Sequence, residues 1–72
     1  MPDFADRLKE MRSAKGVTQK AMAEHLGITE QAYQKYEYAM REPNHETTIK
    51  LADYFDVSID YLLGRSNNPN WR

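Results

Sequence analysis

Cysteine is absent from the 72 residues, which removes disulfides and thiolate metal sites and suits a reducing compartment. No apolar run reaches membrane-spanning length and the N-terminus carries no basic-plus-apolar leader, so a soluble, cytoplasmic protein is expected. Internal repeats and strand-like alternation are also missing, which leaves helical periodicity as the organising signal. There is no Gly-rich phosphate loop, no nucleophile paired with a base, and little volume for a pocket; an enzyme is not expected, and no cofactor is implied. The two histidines, His25 and His45, lie twenty residues apart with no carboxylate or thiol at ligand spacing. Surface or capping roles are expected for them rather than metal binding.

Excess positive charge is lacking too. Ten basic and eleven acidic residues give a formal net charge of -1, and the pI of about 6.1 lies far below the value of about 9 common among nucleic-acid-binding domains. The distribution is uneven, however. Residues 1 to 20 hold five positive and three negative side chains, and residues 42 to 72 hold three positive and five negative. A polyanion would meet the N-terminal half, with modest non-specific affinity and a strong dependence on salt.

What is present is a series of short amphipathic segments, enough for one small domain near the lower size limit for independent stability. Phe4, Leu8, Met11 and Lys15 mark a first helix from about Asp3 to Lys15, with polar Arg7, Lys9 and Glu10 between them and Gly16 at its end. Val17 is expected in the core. Thr18 caps a second helix running from Gln19 to His25 or Leu26, although Ala21 stands where a capping box would place Glu. A third helix spans about Glu30 to Tyr38. After the loop Ala39 to Pro43, Asn44 caps a fourth whose inward stripe is Thr48, Ile49, Ala52 and Phe55, with Lys50 and Asp53 outward and Asp56 at its end. Ile59 to Leu63 forms the last, its Ile59, Leu62 and Leu63 completing the core before Gly64. Met11, Met22 and Met40 read as core fillers. Residues 65 to 72 have loop composition and are expected to form a flexible tail.

The most informative stretch is Gln19 to Tyr38. Met22, Ala23 and Leu26 share one helical stripe, and Tyr33 and Tyr36 share another, so both helices must face a common core. Ala23 sits where two steeply crossing helices come closest, and a methyl group is about the largest side chain such a contact admits. Gly27 ends the first of the two, and Thr29 caps the second only two residues later. That spacing is a helix-turn-helix, and double-stranded DNA is its leading ligand.

The segments R-L-K-E-M-R-S-A-K-G-V-T-Q-K-A-M-A-E-H-L-G-I-T, Y-E-Y-A-M-R-E-P and I-K-L-A-D-Y-F-D-V-S-I-D-Y-L-L-G together resemble the Cro/repressor-type (XRE-like, lambda-repressor-like) helix-turn-helix family, from roughly Leu8 to Gly64. The resemblance implies an all-α, compact five-helix DNA-binding domain over residues 1 to 64, with the third helix entering the major groove. It assigns base reading to Glu30, Gln31, Gln34 and Lys35. Gln31 or Gln34 suits adenine, Lys35 guanine and Glu30 cytosine. Phosphate contacts fall to Gln19, assisted by Thr18 and Lys20. Arg12 and Glu37 match a structural ion pair of the family.

The chain also departs from the family pattern. Relatives usually carry Gly near Ala39 and a basic residue near Met40, so Ala39 must either adopt a left-handed conformation or turn differently. Tyr33 replaces an aliphatic residue, and its hydroxyl needs a partner or a route to solvent. Tyr38 and Arg41 are candidates to restore the phosphate contacts of that loop.

A sequence-specific transcriptional regulator, most simply a repressor working as a homodimer on a two-fold-symmetric operator, is the expected function. Tyr54, Tyr61, Leu62 and Trp71 are its candidate dimer contacts. The competing reading, favoured by the acidic balance and the altered loop, is a protein-interaction module of the same fold, such as an antitoxin-like partner, in which DNA binding is weak or secondary.

Overall fold

A computed structural model describes residues 3–69. Five helices follow in order: α1 (Phe4–Lys15), α2 (Gln19–Leu26), α3 (Glu30–Glu37), α4 (His45–Phe55) and α5 (Ile59–Leu62). Every one begins with the same device. Asp3, Thr18, Thr29, Asn44 and Ser58 stand in extended backbone and accept, through a side-chain oxygen, the amide three residues ahead, at Asp6, Ala21, Ala32, Thr47 and Tyr61. Such a cap typically contributes about 1 kcal/mol, and the five set where each helix starts.

The helix ends are equally local. Gly16 and Gly27 take φ of 75° and 71°, closing α1 and α2 in the left-handed conformation that glycine adopts without steric penalty. Two other ends reach it without glycine, at Ala39 (φ 59°) and Asp56 (φ 54°). Around Ala39 the amides of Ala39 and Met40 return to the carbonyls of Tyr36 and Lys35, at 3.4 and 2.9 Å. This is a Schellman closure of α3 with alanine in the glycine position.

Leu8, Met22, Tyr33, Leu51 and Leu62 are fully sealed at the centre, with Met11, Ala23, Leu26, Tyr36 and Ala52 around them. Phe4, Val17, Ile28 and Phe55 pack at the edge of this cluster. Ala23 is 2% exposed, as a close α2–α3 crossing requires.

Several expected core positions are corrected. Along α4 the inward side chains are Thr48, Leu51, Ala52 and Phe55, spaced i, i+3, i+4 and i+7, whereas Ile49 lies on the adjoining, exposed flank. Thr48 is tolerated inside because its hydroxyl donates to the Asn44 carbonyl at 2.9 Å. One turn of α5 buries Leu62 alone and leaves Ile59 and Leu63 exposed. Met40, expected as a core filler, is 71% exposed.

Arg7 is moved the other way, from an expected polar face into the interior. Its guanidinium lies 3.8 Å from the centroid of the Tyr61 ring, and its Nη2 donates weakly to Asn67 at 3.5 Å. It is 3% exposed, and its Nε has no hydrogen-bond partner among the described residues. Residues 65–69, in the expected tail, return to α5, where the Ser58 amide donates to the Pro69 carbonyl at 2.8 Å. Among the described residues, no helix is long and apolar enough to cross a membrane.

Candidate nucleic-acid interface

α2 and α3 are joined by only three residues, Gly27, Ile28 and Thr29, and are held in register by their shared core. Three consequences define the site. The buried stripe Tyr33–Tyr36–Glu37 faces inward, so Glu30, Gln31 and Lys35 stand exposed on the opposite side of α3, with Gln34 half-buried beside α2. Of the first amides of α2, those of Ala21 and Met22 are taken by the Thr18 side chain and carbonyl, and those of Gln19 and Lys20 have no carbonyl of their own helix to bond. Thr18 spends its oxygen as an acceptor for the Ala21 amide at 3.0 Å and keeps its hydroxyl hydrogen for an outside acceptor.

Beneath the face lies a closed polar cluster. Glu37 has a fully buried side chain and accepts four hydrogen bonds. Its Oε2 receives Arg12 Nε and the Tyr33 hydroxyl, each at 2.6 Å; its Oε1 receives Arg12 Nη2 at 3.2 Å and Gln19 Nε2 at 3.1 Å. Arg12 Nη1 then donates to the Val17 carbonyl at 2.9 Å, tying α1 to the start of α2. Burial alone would raise the Glu37 pKa, but Arg12, Tyr33 and Gln19 outweigh it and hold the carboxyl below its ordinary value. The hydrogen bonds that Arg12 donates to Glu37 raise the Arg12 pKa, and burial pushes the Tyr33 phenol up, reinforced by Glu37. The Tyr33 hydroxyl thus finds its partner inside the core.

The remaining expected site residues divide. Lys20 and Arg41 are exposed, and Tyr38, 54% exposed, caps the end of α3 with Lys9 Nζ 6.0 Å from its ring centroid. Gln19 is not a free surface side chain, since its oxygen accepts from Gln34 Nε2 at 3.2 Å while its nitrogen serves Glu37. Residue spacing does not reveal this link between the second and third helices, and only its residue types, two glutamines and an acid, point to it. Among the candidate dimer residues, Tyr54 is half-buried against His25 (ring centroids 4.4 Å apart) and Tyr61 lies under Arg7. Leu62 is corrected: fully sealed in its own core, it offers nothing to a second copy. Trp71 lies outside the described residues.

The helix-turn-helix family model matches residues 8–62. An uncharacterized HTH-type transcriptional regulator of Bacillus subtilis, YqaE, is 49% identical over 65 residues, covering 89% of this chain and 56% of the relative. The chain spans about half the length of the curated relatives it matches. Among solved structures, a transcriptional regulator from Listeria innocua superposes with a TM-score of 0.85 at 30% identity, covering 92% of this chain and 62% of that one. The P22 c2 repressor in complex with synthetic operator 9T superposes at 0.83 and 26% identity, covering 92% and 100%. Fold and relatives alike are those of DNA-binding regulators rather than enzymes. With most of its length matched by the family model and all five helices in the repressor arrangement, the chain belongs to the Cro/repressor-type helix-turn-helix family.

Proposed function

We propose that this chain is a sequence-specific DNA-binding transcriptional regulator, most simply a repressor, that docks α3 in the major groove and binds a two-fold-symmetric operator as a homodimer. The observation that carries the reading is the outward face of α3. Glu30, Gln31 and Lys35 are exposed on a helix whose other side is locked into the core. A similar fold is found on operator DNA in the P22 c2 complex.

In this reading Glu30, Gln31, Gln34 and Lys35 meet base edges, and Thr18, Lys20, Tyr38 and Arg41 meet phosphates. The helix α5 supplies the pairing surface through Ile59 and Leu63, since Leu62 is sealed inside. Pairing is needed because one such domain makes few contacts, and half-sites about 34–36 Å apart let two recognition helices act together.

Selection of bound sequences from a random duplex pool at two salt concentrations tests the reading. A two-fold-symmetric motif bound in a salt-sensitive manner is expected; no enrichment from folded protein would overturn it. One observation favours a second reading, a protein-interaction module: Phe4, Met40, Ile59 and Leu63 line an exposed groove between α1, the 39–43 loop and α5. A robust salt-sensitive duplex complex would decide against DNA binding being lost in that module.

A further inference from the structure

The hydrogen bonds under the recognition face have a direction. A buried, ionised carboxylate only accepts, and Glu37 is saturated by Arg12, Tyr33 and Gln19 on its two oxygens. The Gln19 carboxamide must therefore turn its NH2 group toward Glu37. That orientation leaves its oxygen facing α3, and the oxygen accepts from Gln34 Nε2 at 3.2 Å. Gln34 in turn has its NH2 group held inward and its carbonyl oxygen, with one remaining N–H, left for the outside. An amide normally flips freely between two arrangements of similar shape, so the choice here descends from the buried Glu37 carboxylate, which cannot donate.

We propose that Glu37 and Gln19 are positioning residues that fix the polarity of the Gln34 side chain, so that Gln34 presents an acceptor to the major groove and selects adenine. The proposal rests on the operator reading above and deepens it. An outward oxygen suits an exocyclic amino group, found on adenine N6 and cytosine N4, and is repelled by guanine O6 and thymine O4. Adenine alone sets an acceptor, N7, beside that amino group, where the remaining N–H of Gln34 is available to it. The sealed position of the carboxylate keeps the relay in place when solvent is exchanged for DNA, because Tyr33 and Arg12 hold Glu37 from within the core. Gln19 then acts on base choice through Gln34 rather than on phosphate.

Two measurements on the intact chain test this, using Gln19→Met and Gln34→Met, which keep side-chain volume and helix propensity. In the free protein, the side-chain NH2 resonances of Gln34 are expected to shift and lose their hydrogen-bonded separation in Q19M. Identical Gln34 resonances in wild type and Q19M would overturn the relay without any DNA present. On the selected operator, Q19M and Q34M are each expected to relax the adenine preference at the same base pair of each half-site, by about 5- to 150-fold, the range of one bidentate pair. The double variant should be no less selective than Q34M alone, and the salt slope should be unchanged in Q19M. A Q19M variant that weakens all sequences equally and lowers the salt slope by about one contact would make Gln19 a phosphate ligand and overturn the proposal. Wild-type protein that selects no sequence at all would instead bring down the operator reading itself.

Discussion

Tyr33 donates its hydroxyl to Glu37 at 2.6 Å, one turn further along α3, and both side chains are sealed from solvent. The phenol completes the shell of a buried carboxylate. Tyr33→Phe is expected to destabilise by about 1.5–3 kcal/mol, the usual worth of a hydrogen bond to a charged group. Glu37→Ala should cost more, about 3–5 kcal/mol, since it strands the Arg12 guanidinium and the Tyr33 hydroxyl together. Thermal unfolding followed by circular dichroism checks the order, at about 4–8 °C per kcal/mol for a domain of this size. Equal losses in the two variants would show that the ion pair adds nothing beyond the phenol.

The same cluster predicts where stability bends with pH. The folded Glu37 pKa is lowered from 4.5, so its contribution is complete above about pH 4.5 and is lost as the pH falls further, through the folded value. The Tyr33 phenol is raised from 10.0, chiefly by burial, so its contribution is complete below about pH 10 and is lost as the pH rises beyond it. Urea midpoints across the pH range should show a shallower acid limb in Glu37→Gln and a shallower alkaline limb in Tyr33→Phe. An acid limb of unchanged depth in Glu37→Gln would place the acid sensitivity on other carboxylates.

Ala39 closes α3 at φ 59°. A left-handed L-residue costs about 1–2 kcal/mol, part of which glycine returns as extra freedom in the unfolded chain. Ala39→Gly is therefore expected to raise stability by roughly 0.5–1 kcal/mol and Tm by a few degrees. A fall in Tm would mean that the methyl group packs usefully against the groove it borders.

Arg41 is exposed on the loop after α3, where the family pattern would bring backbone near phosphate. Arg41→Ala should reduce the slope of log K against log salt by about one contact while leaving the ranking of operator variants intact. Lys35→Ala should do the opposite, relaxing preference at one base pair of each half-site. A salt slope indifferent to Arg41 would remove it from the footprint.

Much of this molecule was legible locally. The caps at Thr18, Thr29 and Asn44, the left-handed ends at Gly16 and Gly27, and the division of α3 into an inner and an outer face follow from residue chemistry within a single turn, whereas Asp3, expected inside α1, stands outside it as its cap. What escaped depends on distant partners. Ile49 and Leu51 are both apolar neighbours on α4, and only the placement of the rest of the core decides that Leu51 turns in. A helix of one turn such as α5 has no periodicity to read, so of the expected core residues Ile59, Leu62 and Leu63 only Leu62 is buried, and that burial leaves it no part in a dimer contact. Arg7 is buried because the Tyr61 ring, far along the chain, receives its guanidinium. The Gln19–Gln34 hydrogen bond depends on the crossing of α2 and α3, which residue spacing fixes only to the nearest turn.

The misreading of α5 leads to the sharpest test of assembly. Ile59 and Leu63, 39% and 37% exposed, stand on the outer side of α5, one turn apart along the chain. Leu62, between them in sequence, is sealed inside. Both outer residues are partly covered by the fold, so replacing them with serine should cost the monomer about 1–2 kcal/mol, less than a change at Leu62. Leu62→Ala should cost about 2–5 kcal/mol through the cavity it opens. If α5 pairs two copies on the operator, Ile59→Ser/Leu63→Ser will retain its fold and its contacts to a half-site, yet lose cooperative binding to the full site, and sedimentation will show it monomeric at concentrations where the wild type associates. Full-site binding by this double variant equal to wild type would move the pairing surface off α5. The next apolar side chain to test would then be Ile49, 37% exposed on α4 and outside the groove that Ile59 and Leu63 share with Phe4 and Met40.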